Sequence, residues 1–406
     1  MIRTVAVEGY RSLRSLVLEP GALTVVTGGN GSGKSSLYRS LRLLQACATG
    51  AFASTLAQEG GLSSTLWAGP ERIGRAVREG WAPVEGTWRT GPVRLRLGVQ
   101  HGPGHVRGRL PDDDVAFGYA VDVGLPQLDQ HSPFVRDPEV KVETVWVGDA
   151  PRPRDVVAER RGPSVRARDA HDDWVQVPLQ PGPTDSLLTE LVDPLGAPQV
   201  LLVRERLRAW RFYDHVRTDA GAPARRGSVL TRTPVLAADG HDLAGALATI
   251  RYLGGGAELD DVVDRAFPGA VVGIGGTDAQ ATVTMTQPGL LRPLTAAELS
   301  DGTLRFLLWA AALLTPRPPA LMVVNEPETS LHPDLLPALA HLLAAAARRT
   351  QVVVVSHARA LVDALVADPD APADTRHVVL EKDLGETVVA GREGLLDQPA
   401  WHWPGR

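Results

Sequence analysis

The sequence predicts an α/β fold in which a parallel β-sheet is covered by helices on both faces. Short apolar, β-branched runs are typical of buried strands, and they occur at residues 2–7, 22–27, 320–324 and 351–355. Amphipathic or alanine-rich helical segments alternate with them at residues 35–48, 303–314 and 333–348. A glycine cluster separates the second strand from the first helix. Because strands that alternate with helices form parallel sheets, these three observations indicate the α/β class.

The composition is that of a globular protein. Of the 406 residues, 44% are hydrophobic and 22% are charged. The longest apolar run, Phe306–Leu314, is about half of the roughly 20 residues that cross a bilayer, so no membrane span is expected. The first ten residues do not resemble a signal peptide. The single cysteine, Cys47, excludes an intrachain disulfide and a cysteine zinc cluster. We therefore expect a cytoplasmic protein with no membrane partner.

The net charge and the choice of basic residues both bear on function. The net charge of -5 argues against a wholly basic nucleic-acid module. Almost every basic residue is an arginine, and the only lysines are Lys34, Lys141 and Lys382. A position that keeps lysine in such a chain is a candidate for a specific role.

The chain divides into three predicted stretches. Residues 1–90 carry the first strands and the glycine cluster. Residues 91–290 form an insertion, in which alternating runs from 92 to 180 indicate antiparallel strands, followed by helical segments at 185–216 and 241–266 and a β segment at 271–287. Residues 291–406 return to alternating helices and strands. The insertion is therefore predicted to be mixed β and helical.

The glycine cluster matches a phosphate-binding loop. Residues 28–35 read GGNGSGKS and fit the pattern GxxxxGK[ST], between a strand and a helix as the mechanism requires. Backbone N–H groups and the helix N-terminus favour phosphate, Lys34 would contact the β- and γ-phosphates, and the Ser35 hydroxyl would ligate Mg²⁺. The predicted nucleotide-binding residues are Asn30, Gly31, Ser32, Gly33, Lys34, Ser35 and Ser36. The loop alone does not distinguish a GTPase, a kinase and an ATPase.

Three further motifs follow in a fixed order. Residues 299–303 (LSDGT) open an apolar helix, residues 321–324 form a strand that ends in Asn325 and Glu326, and residues 352–355 lead to Ser356 and His357. Taken singly, each has an ordinary structural explanation: a capped helix, a polar strand end and a structural histidine. Ligands in open α/β sheets nevertheless gather at the carboxyl ends of strands.

In this order the motifs resemble the ATP-binding-cassette (ABC) ATPases, a branch of the P-loop NTPases. The motif sequences are similar to those of the soluble branch that includes RecF, the heads of structural-maintenance-of-chromosomes (SMC) proteins and the overcoming-lysogenisation-defect (OLD) ATPases. They are especially similar to those of bacterial AAA family ATPases with NEPETSLHP-like motifs. The resemblance covers residues 1–50 and 290–360, with support from WRFYD at 210–214 and residues 239–247. It implies an ABC ATPase head that binds ATP and Mg²⁺.

The resemblance also implies roles for single residues. Ser300 and Gly302 would bind the γ-phosphate of ATP held by a second copy, so that ATP joins two heads in a homodimer. Glu326 would polarise the attacking water, and His357 would sense the γ-phosphate. Residues 330–332 (SLH) would communicate across the dimer. Arg11 matches a position where related heads place an arginine near the nucleotide; an ordinary surface arginine is the alternative. No residue of the glutamine loop can be assigned.

One residue departs from the family pattern. Asn325 stands where the wider superfamily has an aspartate, and an amide lacks the charge that favours a hard cation such as Mg²⁺. We predict slow hydrolysis, with Asn325 as a weak metal-side residue beside Ser35. A scaffold that senses nucleotide with little hydrolysis, and less favourably a transporter subunit, are the alternatives.

The insertion suggests partners. Its prolines stop helices, which disfavours long coiled coils. Arginines cluster at residues 152–168 and 204–226, which favours DNA contact, although acidic neighbours make a solvated salt-bridged surface the stronger interpretation. OLD-type nucleases carry a nuclease domain after the ATPase, and the stretch after His357 is too short for one. We therefore expect any effector or nuclease to be a separate protein, acting in DNA repair or anti-phage defence.

Overall fold

The computed structural model describes residues 1–70, 77, 81, 94–102, 115–126, 133–134, 136–214, 216–392 and 397–405. The chain forms two compact units. Unit 1 comprises Met1–Pro20, Thr27–Trp210 and Val378–Arg406, and unit 2 comprises Gly21–Val26 and Arg211–His377. The boundary predicted at residues 90 and 91 lies outside the described residues, and the three-part division stays a prediction.

Unit 1 contains an eight-stranded sheet. Its strands are β1 (Ile2–Tyr10), β2 (Leu13–Leu18), β4 (Arg94–His101), β5 (Phe117–Gly124), β6 (Glu139–Val147), β7 (Val156–Arg161), β8 (Ser164–Arg168) and β9 (Trp174–Gln176). Every neighbouring pair is antiparallel, in the order β2-β1-β4-β5-β6-β7-β8-β9. The antiparallel strands predicted for residues 92–180 are confirmed by β4 to β9 in the described part of this stretch.

Helices pack beside this sheet. They are α1 (Lys34–Thr49), α2 (Phe52–Gln58), α3 (Leu62–Thr65), α4 (Leu187–Glu190) and α5 (Pro198–Arg208). The apolar face predicted for α1 is confirmed, since Leu37, Leu41, Leu44 and Ala48 are all buried. Helix α1 contacts α2, α4 and α5, and also β1 and β4 of the sheet. Burial of that face fixes the orientation of the helix whose first residue is Lys34.

A hairpin near the end of the chain completes unit 1. Strand β16 (Thr375–Asp383) enters the unit at Val378 and turns into β17 (Glu386–Val389), with Leu380 opposite Val389. Strand β17 contacts β2. Through this hairpin, residues distant in sequence reach the glycine cluster of the same unit.

Unit 2 contains parallel strands, as the sequence predicted from the runs at 22–27, 320–324 and 351–355, whereas the run at 2–7 lies in the antiparallel strand β1 of unit 1. The strands are β10 (Arg211–Tyr213), β14 (Leu321–Asn325), β15 (Gln351–Val355) and the first four residues of β3 (Leu23–Gly28). They lie in the order β10-β14-β15-β3 and all neighbouring pairs are parallel. The α/β class is thereby confirmed.

Strand β10 corrects one prediction. The sequence indicated helix throughout 185–216, whereas only α4 and α5 are helical there and Arg211–Tyr213 is a strand. Pro194 and Gly196 interrupt the helical stretch, and α5 ends at Arg208. Backbone pairing with β14 then outweighs the local helical pattern.

The remaining elements of unit 2 enclose a large apolar core. Its helices are α6 (Leu243–Ile250), α7 (Gly256–Ala266), α8 (Asp301–Leu313), α9 (Leu336–Ala347) and α10 (Arg359–Ala367), and a small antiparallel sheet contains β11 (Val271–Thr277), β12 (Gln280–Thr286) and β13 (Leu294–Thr295). Phe306 and Trp309 of α8 are fully buried, and Trp309 meets Tyr213 edge to face. This core supports the strand ends that carry the candidate functional residues.

Within the described ranges, no helix combines the length and the apolar character that crossing a membrane requires.

Candidate functional site

The phosphate loop lies in unit 1 between β3 and α1. Gly33 is the N-cap residue of α1, with φ at 106°, and no side chain caps this helix. A β-carbon on Gly33 would overlap the Thr387 hydroxyl oxygen. Both the positive φ and the lack of space require glycine at this position. The uncapped N-terminus leaves backbone N–H groups of the first turn for an anion.

Lys34 lies inside the loop that it follows. Its side chain is buried, and Nζ donates hydrogen bonds to the carbonyl oxygens of Gly28 at 2.6 Å and Gly29 at 2.9 Å. The ammonium group is therefore held by two neutral carbonyl acceptors of the loop. A phosphate oxygen is a stronger, charge-assisted acceptor for the same donor.

The rest of the loop fits a polyphosphate. β-carbons placed on Gly29 and Gly31 would meet no atom within 4 Å, so the space above the loop is open. Asn30 and Ser35 are exposed and Ser36 is half-buried. The buried Ser32 hydroxyl has no hydrogen-bond partner among the described residues. Open space, an uncapped helix and an unsatisfied hydroxyl are features that a bound phosphate chain would satisfy.

Sequence reasoning missed Thr387, which supports the loop from β17. Its Oγ1 lies 2.8 Å from the Ser32 carbonyl oxygen and 2.8 Å from Ser12 Oγ, and its backbone N–H donates to the Ser12 carbonyl. Thr387 is 3% exposed. No spacing in the sequence links position 387 to the loop, so only the three-dimensional arrangement could reveal it.

In unit 2 the strands end in register. Asn325 pairs with Val355, which pairs with Val26 of β3. The Glu326 N–H donates to the Val355 carbonyl at 2.8 Å, and the Ser356 N–H donates to the Val26 carbonyl at 3.0 Å. The residues that follow β14 and β15 therefore leave the sheet at one edge. This is the edge where the sequence placed Glu326 and His357.

Glu326 and His357 are in direct contact. His357 Nε2 lies 2.9 Å from Glu326 Oε1, and the two side chains are 42% and 36% exposed. Glu326 adopts a φ of 48°, a region that non-glycine residues rarely occupy, at a cost of about 1 kcal/mol. The strained backbone directs the carboxylate to a partly solvated position beside an imidazole. In such a pair the carboxylate can accept a proton from water, and the imidazole can orient the carboxylate.

Glu328, whose role the sequence did not indicate, accepts hydrogen bonds from the backbone that carries His357. Its Oε1 accepts hydrogen bonds from Ser356 Oγ at 2.7 Å, the His357 N–H at 2.8 Å and the Ala358 N–H at 3.1 Å. This carboxylate fixes the backbone from which the imidazole projects. The only sequence signal was its place in the run NEPE.

Asn325 has an acidic neighbour. Its Nδ2 donates to Asp214 Oδ1 at 2.7 Å. Asp214 follows β10, whose last residue, Tyr213, pairs with Val324. The two side chains therefore end adjacent parallel strands. WRFYD supported the resemblance in sequence, but the function of its aspartate was not recognised.

The predicted signature begins α8. Ser300 is exposed and is the N-cap residue, accepting a hydrogen bond from the Thr303 N–H at 3.1 Å, as an ordinary capped helix would. A β-carbon on Gly302 would lie 3.3 Å from the Ser330 carbonyl oxygen. The predicted signature and the SLH segment, whose His332 is exposed, are therefore neighbours within unit 2.

Arg225 forms hydrogen bonds with the segment that leads into this signature. Its Nη1 donates to the Leu299 carbonyl at 2.7 Å and to the Ala296 carbonyl at 3.0 Å, and its Nη2 pairs with Asp301 at 2.6 Å. Arg225 was counted in sequence with the arginines that might contact DNA. Its bonds are instead internal to unit 2.

Other arginines of the two clusters are also paired with acids. Arg160 is buried against Glu143, Arg161 and Arg166 both contact Glu159, Arg204 and Arg208 contact Glu205, and Arg217 contacts Asp219. These pairs favour the salt-bridged interpretation. DNA binding stays a prediction.

Arg11 also has an internal partner in unit 1. Its Nη2 lies 2.9 Å from Glu59 Oε2, and its φ is 49°. Burial acts to lower the pKa of Arg11, but its hydrogen bonds to Glu59 and Tyr10 outweigh this and raise the pKa overall. A role near the nucleotide stays a prediction for Arg11, as do the roles of the other candidate residues.

The fold is similar to that of solved SMC heads. An SmcHead bound to the C-winged helix domain of ScpA shares 11% identity, with 96% of each chain covered and a TM-score of 0.52. An Smc head domain with an extended coiled coil, bound to the C-terminal domain of ScpA derived from Pyrococcus furiosus, shares 11% identity, covering 96% of this chain and 95% of that chain, with a TM-score of 0.52. At this identity the likeness concerns the fold, and the predicted P-loop NTPase class is confirmed.

No curated protein matches the chain. A family model described as "AAA domain, putative AbiEii toxin, Type IV TA system" matches residues 23–363, from the first residue of β3 into α10. With most of its length matched, the chain belongs to this AAA_21 family of ABC/AAA-type P-loop ATPases.

Proposed function

We propose that this protein binds ATP with Mg²⁺, hydrolyses it slowly, and dimerises in the ATP-bound state as a switch. The observation that carries the proposal is the contact between Glu326 and His357 at the edge where parallel strands end. A carboxylate beside an imidazole at such an edge is suited to activate a water for attack on a phosphate. The family supports nucleotide binding, and the open phosphate loop supports the same conclusion.

In this proposal different residues of the chain bind the phosphates, face the metal and activate the water. Lys34 and the N–H groups at the start of α1 would bind the phosphates, and Ser35 and the Asn325 region would face the metal. Glu326 would take the proton of the attacking water at Oε1 or Oε2, with His357 orienting the carboxylate and contacting the transferred phosphoryl group. Mg²⁺ when bound neutralises phosphate charge. The alternative, a scaffold that binds ATP and barely hydrolyses it, is favoured by the amide at Asn325.

Hydrolysis and binding are tested separately. Steady-state phosphate release by the purified protein should fall about 100-fold or more in Glu326→Gln, because a general base contributes at least that factor. ATP affinity should stay within a few-fold. Lys34→Ala should lose ATP binding itself. The exposed Glu381→Gln is the matched control for the loss of one carboxylate. An unchanged rate in Glu326→Gln would remove Glu326 from the mechanism, and a negligible rate in both proteins would favour the scaffold.

Dimerisation is the second part of the proposal. The exposed Ser300 at the start of α8 supports it, because a helix N-terminus can bind a phosphate held by a second copy. Light scattering with ATP should detect dimers of Glu326→Gln, and Ser300→Arg in that background should abolish them. Leu291→Arg, a fully exposed position outside the signature, adds the same charge as a control. Dimers that persist with Ser300→Arg would contradict the signature role.

We further propose that the switch controls DNA or a separate effector protein, in anti-phage defence or DNA repair. The family description names a toxin of a type IV toxin–antitoxin system, which favours defence. The similar SMC heads were solved with domains of a second protein, which makes a partner protein a reasonable expectation. Expression together with its adjacent genes should protect cells against phage, and Lys34→Ala should abolish this protection. Sensitivity to DNA damage in a deletion strain, without loss of phage protection, would favour repair.

A further inference from the structure

Of the three lysines that this chain keeps, two are explained by the contacts described so far or by an ordinary ion pair. Lys34 belongs to the phosphate loop, and Lys141 Nζ lies 2.6 Å from Glu139 Oε2. Lys382 is exposed near the end of β16, and its Nζ donates a hydrogen bond to the Gly385 carbonyl oxygen at 2.8 Å. Among the residues that the structure describes, no carboxylate pairs with Lys382. The third lysine therefore has a charge without an acidic partner in the described chain.

The hairpin that carries Lys382 lies against the phosphate loop, within unit 1. A β-carbon on Gly28, where the loop begins, would overlap the Leu380 carbonyl oxygen of β16. From β17, Thr387 Oγ1 lies 2.8 Å from the Ser32 carbonyl oxygen and occupies the space of a β-carbon on Gly33. Both strands of the hairpin are therefore in direct contact with the loop.

The register of the hairpin sets the side on which Lys382 projects. Lys382 is paired directly with Thr387 in the antiparallel ladder. Side chains of directly opposite residues share one face of the sheet, with their β-carbons about 5 Å apart. The Thr387 side chain contacts the loop from this face, so the Lys382 side chain begins beside it. Its flexible four-carbon stem is long enough to carry the ammonium group to phosphates at the loop.

The surroundings of the ammonium group favour an anion. The Gly385 carbonyl is a neutral acceptor, whereas a phosphate oxygen would form a charge-assisted hydrogen bond with the same donor. Partial burial lowers the pKa of Lys382, because the charged form loses hydration there. A phosphate group would provide the opposite charge that stabilises the ammonium form.

We propose that Lys382 is a second phosphate-binding ammonium group, which reaches from the β16–β17 hairpin to the phosphate chain of the nucleotide held by the loop. This inference rests on the proposed ATP-binding function and adds to it a residue outside the loop pattern. It also gives a reason for lysine at position 382 in a chain that otherwise uses arginine, because a compact charge on a flexible stem suits a phosphate chain beside Lys34.

Calorimetric titration with ATP tests the proposal in the unaltered protein, Lys382→Met and Lys382→Gln. The titrations are made in EDTA, so that no divalent cation neutralises the phosphates. We expect both variants to bind ATP about 10-fold more weakly, because a hydrogen bond between two charged groups is lost. As KCl rises from about 0.05 M to about 0.5 M, the affinity should fall less steeply in both variants than in the unaltered protein, because one fewer charged contact is screened. A purely structural loss would leave this salt dependence unchanged.

Lys141→Met is the matched control, because it removes a lysine of the same unit whose partner is Glu139. It should leave both the ATP affinity and its salt dependence as they are in the unaltered protein. Thermal unfolding without nucleotide shows which variants are folded. If Lys382→Met does not fold, Lys382→Gln decides, because glutamine keeps a side-chain donor for the Gly385 carbonyl.

The outcomes separate this inference from the proposed function. Unchanged ATP affinity in the neutral variants would overturn the role of Lys382 while ATP binding stands. A loss confined to a folded Lys382→Met would assign the effect to the hydrogen bond in the turn, and would overturn the proposal as well. Absence of ATP binding in the unaltered protein, in EDTA and in Mg²⁺ alike, would overturn the proposed function and this inference with it.

Discussion

His357 Nε2 lies 2.9 Å from Glu326 Oε1, although the two residues follow different strands. The register of β14 and β15 brings them together, because Asn325, which precedes Glu326, is paired with Val355, which lies two residues before His357. Replacing His357 with glutamine should keep a hydrogen bond to Glu326 but lose the imidazole. We expect ATP hydrolysis to fall about 100-fold, with ATP affinity unchanged within a few-fold.

Single-turnover phosphate release, measured with the protein in excess over ATP, checks this prediction. His171→Gln is the matched control, because His171 is an exposed histidine beside a carboxylate, that of Asp169, and lies outside the predicted site. An equal loss in both variants would show that the effect does not depend on the pair of His357 and Glu326.

Glu328 is expected to matter for stability and for catalysis at once. Its Oε1 accepts three hydrogen bonds, two of them from backbone N–H groups after β15. Glu328→Ala removes the carboxylate that accepts these three hydrogen bonds and should lower the free energy of unfolding by about 1 kcal/mol, because the donors are only partly shielded from water. Hydrolysis should slow because His357 loses its support. Urea unfolding followed by circular dichroism gives the first value, and normal stability of the variant would show that water replaces the carboxylate.

Two glycines of the phosphate loop should respond differently to alanine. Gly33 and Gly31 both have positive φ values, but only at Gly33 would a β-carbon overlap a neighbour, Thr387. Gly31→Ala should bear only backbone strain of about 1 kcal/mol. Gly33→Ala should abolish ATP binding in calorimetric titration, and Thr387→Ala in the same chain should recover part of it. Equal losses in the two single variants would mean that φ alone determines tolerance.

Stability should depend on pH through His101. This residue is 4% exposed in β4, is stacked on Phe117 at 4.5 Å, and has no hydrogen-bond partner for either ring nitrogen among the described residues. Burial, with smaller contributions from the N-terminal amine and Arg206, holds the pKa of His101 well below its usual value. The unfolded chain therefore binds a proton that the folded chain does not as the pH falls below about 6.5.

The sign of the effect follows from this difference. Folding stability should decrease as pH falls below about 6.5, by up to about 1.4 kcal/mol per pH unit. In His101→Phe this slope should be reduced by that amount, because phenylalanine has no proton to bind. Free energies of unfolding measured from pH 7.5 to 5.5 in both proteins provide the comparison. Parallel curves would show that His101 does not control the acid response.

The sequence predicted those features that depend on neighbours along the chain. The strand before Gly28, the helix that follows Gly33 and the strands before Asn325 and Ser356 were visible because apolar runs and glycines are local signals. Lys34 was conspicuous because lysine is so rare in this chain. The buried face of α1 followed from helical spacing alone.

The residues that support these groups could not be predicted in the same way. Thr387, Asp214 and Glu328 act through contacts with residues that follow other strands, and sheet order cannot be deduced from periodicity. Strand β10 itself was predicted as helix, since its three residues are stabilised by β14 and not by their own pattern. The partners of Arg225 were hidden for the same reason.

The support of the phosphate loop by Thr387 has a consequence for synthesis. During translation the ribosome adds Thr387, whose hydroxyl lies against Ser32 and Ser12, 355 residues after Ser32. A nascent chain consequently lacks this support until β17 has been synthesised. The structural order of the loop is coupled to completion of β17, so a ribosome-bound fragment that stops before residue 387 should hold nucleotide more weakly than the released protein.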